Sequence, residues 1–258
     1  MTIDQVRAYW DRRPCNLRHS AAPLGSRQYF DEVRARKYFV EPHLPAFADF
    51  PRWTNKNVLE VGCGMGTVAI DFARAGANIF AIDLSPRAID LAQLQSTAYA
   101  VPIPWGCGNY EELTHVWEGQ FHLIFSWGVL HHTPNPDAAL RNMHRMLRPD
   151  GELRLMLYHR YTPKTLLIAL GLAQSEAQRG VPIARTYSRH TARALIVRHG
   201  FTITDIHVDH IFPWRVRDYV QYRYVKALPW RILPPALFRA LEHRFGQHLL
   251  ITARRSQP

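Results

Sequence analysis

A glycine-rich turn joins an apolar strand to a helix along Val58-Leu59-Glu60-Val61-Gly62-Cys63-Gly64-Met65-Gly66-Thr67-Val68-Ala69-Ile70. Val58 to Val61 read as a short buried strand, and Thr67 onward as the first turn of a helix. Glycines at alternating positions let the backbone turn sharply and approach a ligand closely, because no Cβ intervenes. A second apolar strand, Ile79 to Asp83, ends in a carboxylate 17 residues beyond Gly66. In a doubly wound α/β sheet that spacing puts Asp83 at the tip of the second strand, where it can accept both ribose hydroxyls of a nucleoside.

The spacing is Gly-x-Gly-x-Gly, not the Gly-x-Gly-x-x-Gly of dinucleotide folds. Glu60 stands just before the first glycine, where a pyrophosphate would be repelled and a cation or amine welcome. Further along, Phe121-His122-Leu123-Ile124-Phe125-Ser126-Trp127-Gly128-Val129-Leu130-His131-His132 is a strand running into a turn, and Leu147-Arg148-Pro149-Asp150-Gly151 leads into another strand. In this combination the chain resembles the class I S-adenosylmethionine (SAM) dependent methyltransferases, specifically those like the quinone-biosynthesis methyltransferases, from about Asn57 to Tyr158. The resemblance implies a Rossmann-like, doubly wound, seven-stranded α/β sheet whose strands six and seven run antiparallel. It also implies SAM as cofactor and a small-molecule acceptor.

Residue by residue, the resemblance implies that Glu60 holds the positive end of the methionine moiety. Gly62, Cys63 and Gly64 admit the cofactor, Asp83 and Leu84 take the ribose end, and Tyr110 and Ser126 complete its cofactor set. Many relatives carry an aspartate at the position of Asn109, facing the adenine amino group; an asparagine can still accept that bond through its side-chain oxygen. N-terminal segments in the family close over the cofactor, so Arg18 is expected at the SAM carboxylate and Tyr9 or Tyr29 at the acceptor. His19, His131, Arg160 and Tyr187 complete the expected substrate set. Methyl transfer from a sulfonium needs alignment and a deprotonated acceptor, with no covalent residue. The candidate bases at strand tips are His132, Tyr158 and His159.

In chain order, Phe30, Val33, Val40, Leu44 and Phe47 recur at helical spacing, which predicts a helix from Ser26 to Val40 and a shorter one restarted after Pro42 and Pro45. Tyr9-Trp10-Asp11 shows no clear period. Ser85-Pro86 reads as an N-cap and first helical residue of a helix carrying Ile89 and Leu94 toward the sheet. Strand three is expected near Ile103 to Cys107, strand five from Glu152 to Tyr158, strand six from Phe201 to Val208 and strand seven from Gln247 to Ala253. Residues 1–50 form an N-terminal helical lid segment, and 51–258 the SAM-binding domain. Two cap insertions interrupt it, at about 159–187, with a helix expected from Thr165 to Ala173, and at about 209–245, rich in aromatics and arginine. Such segments above the C-terminal strand edge set acceptor specificity.

At 258 residues the chain suits one α/β domain with insertions. No apolar run approaches the roughly 18 residues of a membrane span, and Met1 to Arg7 lack a signal-peptide core. A cytoplasmic location, as monomer or homodimer, is the expectation. Cys15, Cys63 and Cys107 have no short paired spacing, which argues against a disulfide framework and a zinc site. His131, His132, His159, His207 and His210 match no metal-binding helical pair. The net charge of +11 permits a nucleic-acid acceptor, but the arginines are scattered along the chain. The Asn/Asp-Pro-Pro-aromatic tetrapeptide of adenine and glutamine-amide N-methylation is missing. Pro14-Cys15 lies far from where cytosine-C5 enzymes place their thiol. Two alternatives to a small-molecule methyltransferase stand: an RNA methyltransferase, and a SAM-binding fold without methyl-transfer activity.

Overall fold

The computed structural model describes residues 1–112, 117–171 and 180–256. Among these, seven strands form one sheet: β1 Asn57–Val61, β2 Asn78–Asp83, β3 Trp105–Cys107, β4 Phe121–Trp127, β5 Leu147–Tyr158, β6 Phe201–Asp209 and β7 His248–Arg255. Their spatial order is β3-β2-β1-β4-β5-β7-β6. β1 pairs in parallel with β2 on one side and β4 on the other, and only β7 runs against its neighbours β5 and β6. The chain thus winds outward in both directions from β1 and β4. A crevice opens at the carboxyl ends of those two strands, the switch point where α/β sheets bind ligands.

Eleven α-helices flank the sheet among the described residues: α1 Ile3–Arg12, α2 Arg27–Val40, α3 Leu44–Ala48, α4 Thr67–Arg74, α5 Pro86–Tyr99, α6 Pro136–Met146, α7 Pro163–Ala169, α8 Arg189–Val197, α9 Val216–Tyr219, α10 Leu228–Ile232 and α11 Pro235–Phe245. Local chemistry explains their starts. Ser26 caps α2, Ser85 accepts from the Ala88 N–H to cap α5, and Asn135 accepts from the Ala138 N–H to cap α6. β1 and β4 are Val-, Leu-, Ile- and Phe-rich and buried on both faces, as parallel central strands require.

Two apolar layers sandwich the sheet. One joins Phe30 and Val33 of α2, Leu44 and Phe47 of α3, and Ile70 and Phe72 of α4. The other joins Leu140 and Met143 of α6, Leu195 and Ile196 of α8, and Phe201 of β6. Residues of the N-terminal segment are therefore built into the core of the sheet domain, where Phe30, Val33 and Leu44 are fully buried. The second insertion leans on that segment. The Arg36 guanidinium lies between the rings of Tyr219 and Tyr222, 4.3 and 4.2 Å away, and Phe39 stacks on Trp214.

Three local expectations differ from the structure. Tyr9-Trp10-Asp11 lies inside α1, which starts with a reciprocal capping box between Thr2 and Gln5. Leu94 points outward at 46% exposure, and Leu91, Ala92 and Gln95 are buried instead, one turn of the helix setting the inward stripe. The helix of the first insertion is α7, which starts at Pro163; residues 172–179 of that insertion, with Leu172 and Ala173 among them, lie outside the described residues.

Candidate active site

The glycine turn after β1 adopts a conformation that L side chains resist, with φ of +75° at Gly62 and +55° at Gly64. A Cβ on Gly62 would stand 2.1 Å from Val129 Cγ2, so the turn fits tightly under the loop after β4. A Cβ on Gly64 would meet no protein atom within 4 Å; it faces open space. Asp83 braces this turn, its Oδ2 accepting the Gly64 N–H at 2.8 Å and its Oδ1 the Ser85 N–H at 2.9 Å. Burial pushes its carboxyl above the usual range, against those backbone hydrogen bonds.

The space in front of the turn is a cavity of about 330 Å³ at the carboxyl ends of β1, β2, β4 and β5, within the size range of small-molecule sites. Glu60, Gly62, Cys63, Gly64, Asp83, Leu84 and Tyr110 line one lobe. Glu60 is 3% exposed, and its Oε2 has no hydrogen-bond partner among the described residues. Burial raises its carboxyl to about 8, opposed by the Lys37 ammonium and reinforced by the Asp83 carboxylate. The Ala69 N–H also favours the ionised form, but a buried carboxylate oxygen without a partner is costly, and a bound ammonium would relieve it. Lys37, from α2, also lines the cavity and pairs with Glu41 at 3.1 Å.

The other lobe is walled by Trp10 of α1, His19, Trp127 of β4, His132, Met156 and Tyr158 of β5, Tyr219 of α9 and His248 of β7. His132 Nδ1 stands 2.5 Å from the Ile183 carbonyl, so it donates there and the ring's lone pair falls on Nε2. Its ring meets Trp10 and Tyr158 edge-on, with centroids 5.1 and 5.6 Å away. Tyr158 also stacks on His131 at 3.7 Å. His19 Nε2 lies 3.4 Å from the Tyr219 hydroxyl, and burial, with Arg36 and Lys37 nearby, pushes its imidazole down to about 4.

Of the residues expected from the sequence, Glu60, Gly62, Cys63, Gly64, Asp83, Leu84, Tyr110, His19, His132 and Tyr158 come together on this cavity. The remaining ones do not line it. His159, just beyond the end of β5, is not among the lining residues; it is buried with Nδ1 3.1 Å from the Gly246 carbonyl. Arg18 is exposed, and only its carbonyl is engaged, by the Tyr222 hydroxyl. Tyr9 is buried beside Trp10, one step around α1 from the lining stripe of Ile3, Val6 and Trp10. Tyr29 is buried in the core and donates to the Leu17 carbonyl.

The Asn109 side chain is spent on its own turn, accepting from the Glu111 N–H and donating to Glu112. Ser126 is 1% exposed, behind the strand tip. His131 is fully buried under Tyr158, with both ring nitrogens unpartnered among the described residues and its imidazole held neutral by burial. Arg160 is exposed and donates to the Thr186 carbonyl, while Tyr187 pairs its backbone with Tyr158. Sequence reasoning passed over Trp10, Lys37, Glu41, Trp127, Tyr219 and His248. The signal for Trp10 was the capping box of α1. For Lys37 and Glu41 it was two charges four residues apart on the α2 face that also carries Val40. His248, Trp127 and Tyr219 had no local signal.

A family model described as a methyltransferase domain matches residues 58–151. The ubiquinone biosynthesis O-methyltransferase of Xanthomonas oryzae pv. oryzae is 30% identical over 164 residues, which is 62% of this chain and 68% of that protein. That of Chromobacterium violaceum is 33% identical over 116 residues, 45% of this chain and 50% of its own. Among solved structures, the magnesium protoporphyrin IX methyltransferase of Synechocystis PCC 6803 with bound SAH aligns over 99% of this chain and 100% of its own. Its TM-score is 0.64 at 17% identity. The cyclase SpnF aligns over 100% and 98%, with TM-score 0.64 at 18% identity. At these identities the structural likenesses establish the fold.

Proposed function

The chain belongs to the class I SAM-dependent methyltransferases, and from that premise we propose that it methylates an oxygen of a small, amphipathic or anionic acceptor. The observation that carries this reading is the cavity's lining: a buried carboxyl whose Oε2 has no partner among the described residues, beside a glycine turn, together with aromatics and imidazoles. The oxygen is supported by the O-methyltransferase names of the relatives.

The residues present fit SAM. Glu60 Oε2 lacks a donor among the described residues, and an ammonium supplies one. Lys37 is the cation of the cavity that would meet the carboxylate of the methionine moiety, a role Arg18 is too exposed to serve. Asp83 keeps acceptor capacity for ribose hydroxyls beyond the two N–H groups it already holds. The open space at Gly64 lets a ligand approach the backbone. When bound, SAM supplies a methyl group already activated by a sulfonium.

The chain's own contribution is then positioning. Trp10, Trp127, Tyr158 and Tyr219 would hold the acceptor and exclude water, which favours reaction by fixing geometry. His132, its ring fixed by the bond from Nδ1 to the Ile183 carbonyl, would wall the acceptor together with Trp10 and Tyr158. Two arginines that an RNA track would need are engaged within the fold. Arg154 is buried against Glu152, and Arg185 donates to the Thr133 and Pro134 carbonyls. This favours a small acceptor over RNA.

A second reading, a SAM-binding fold that performs another reaction, rests on the likeness to a cyclase. One experiment separates these: purified protein, methyl-labelled SAM, and the small-molecule and RNA fractions of a cell extract presented separately. Label in an extractable small product supports the proposal. Label in RNA alone, or SAM binding with no labelled product in either fraction, contradicts it.

A further inference from the structure

At the β7 side of the acceptor lobe lies a buried group of imidazoles to which the proposed reaction assigns no role. His248 opens β7 directly across the sheet from Tyr158 and forms part of the cavity wall. Its Nδ1 lies 2.9 Å from His43 Nε2. His210, at the end of β6, packs against both rings, with centroids 5.1 Å from His43 and 4.5 Å from His248. Glu41 closes the group. Its Oε1 stands 3.9 Å from His248 Nε2 and accepts the Trp127 indole N–H at 3.2 Å, and its Oε2 pairs with Lys37. His43 is half-buried and the most exposed of the three rings, while His210 and His248 are each 6% exposed.

A hydrogen bond between two neutral imidazoles needs one donor and one acceptor. At 3.9 Å, His248 Nε2 is too far from Glu41 to donate to it. The proton of His248 therefore belongs on Nδ1, in the bond to His43. His43 then accepts at Nε2 and carries its own proton on Nδ1, and the lone pair of His248 falls on Nε2.

We infer that His248 and His43 form a proton exit from the acceptor lobe. His248 Nε2 takes the proton that the acceptor's nucleophilic oxygen gives up, the Nδ1 proton of His248 moves to His43 Nε2, and His43 releases its Nδ1 proton to solvent. The oxygen keeps the electron pair of the broken O–H bond. One proton leaves per methyl gained, and both rings end neutral as the opposite tautomers.

In this arrangement His248 is the catalytic residue and His43 a positioning and relay residue. The inference rests on the methyl-transfer reading. Facing His248 are Glu41, His43, His210, His131, Tyr158 and Lys164. Glu41 is held ionised by Lys37 against its burial and would steady an imidazolium in passing. Burial lowers His43 and His248 below the ordinary imidazole range and His210 to about 4, so these rings hand a proton on and do not store it.

Two measurements test this. Long-range ¹H–¹⁵N NMR of histidine-labelled protein with SAH at neutral pH should find His248 protonated at Nδ1 and His43 bare at Nε2; His248 protonated at Nε2 would overturn the relay. The second is labelled methyl transfer to the small-molecule fraction of a cell extract. His43→Gln keeps a side-chain amide to hold His248 but cannot conduct a proton. It should lose about tenfold or more in rate, with SAM affinity unchanged and activity partly restored by added imidazole. An undiminished rate, or a loss that imidazole does not touch, would overturn the proposal. No labelling by the unaltered protein would instead count against the methyl-acceptor reading, and the tautomers would still judge the pair.

Discussion

Glu60, Gly62, Cys63, Gly64, Asp83 and Leu84 reach the cavity from within the 25 residues 60 to 84, whereas Trp10, His19, Trp127, His132, Tyr158, Tyr219 and His248 are drawn from nearly the whole chain. The first set works largely through backbone shape and two carboxylates at strand tips. The second works through side chains whose positions depend on how α1, the loop after β4 and the two insertions settle on the sheet. A ligand that is the same across a family can be met by a local motif. An acceptor that differs between members has to be met by parts that vary independently. The comparison predicts that damage to the first lobe abolishes cofactor binding, while damage to the second spares binding and removes turnover.

The largest effect should come from the glycine turn. Gly62→Val drives a branched side chain into Val129 at a backbone φ of +75°, and no SAM binding should be measurable by calorimetry, together with a lowered melting temperature. Gly64→Ala has room in the protein but projects into the cavity, so the fold should hold while SAM affinity drops by about 30-fold or more, from left-handed strain and the clash. Equal affinity in Gly64→Ala and the unaltered protein would break the assignment of that lobe to the cofactor.

The second lobe should behave in the opposite way. His132→Ala should lower turnover by about 10²-fold through a misplaced acceptor while SAM affinity, read by calorimetry, stays within about threefold. Parallel loss of binding and turnover would mean the two lobes are one. A smaller effect comes from Asp83→Asn, whose single side-chain oxygen cannot serve both the Gly64 and Ser85 N–H groups and the ribose. A loss of about tenfold in SAH affinity is expected, in line with one charge-assisted hydrogen bond. Smallest are His159→Ala and Arg18→Ala: neither side chain lines the cavity, so each should change turnover and SAM affinity by less than about threefold. A large drop in either would return it to the site.

The fold was legible because its evidence is local and repeated: apolar strands, serine and asparagine caps, and glycine at the turns. The cavity lining from Glu60 to Leu84 was legible for the same reason, since a strand, a turn and the next strand tip are neighbours in sequence. The lining drawn from the rest of the chain was not. His159 sits just past the end of β5, where no strand alternation in the sequence says which way it turns. Which of Tyr9 and Trp10 turns inward is decided by α1, in a segment without an obvious period. Asn109 stands where the resemblance implies a ligand contact, but an asparagine at a turn readily satisfies its own backbone. Lys37 and Glu41 reach the cavity only because α2 packs with that face against it. His248 and Trp127 meet only because β7 inserts between β5 and β6.

In the proposed reading the Glu60 carboxylate, whose Oε2 has no partner among the described residues, anchors the cofactor's positive end. In the free protein burial raises that carboxyl to about 8, above its ordinary value near 4.5. The folded state then holds a proton that the unfolded state has lost between those pH values, so this group makes stability fall as pH rises through that window. Binding an ammonium there requires the carboxylate to ionise, so SAM affinity should rise with pH up to about 8 and then level off. Calorimetry of SAM binding at pH 7, repeated in buffers of different ionisation enthalpy, measures this directly. Release of a substantial fraction of a proton is expected, with both the release and at least about tenfold of the affinity lost in Glu60→Gln. SAM binding with no proton released, or binding equally tight in Glu60→Gln, would contradict the claim.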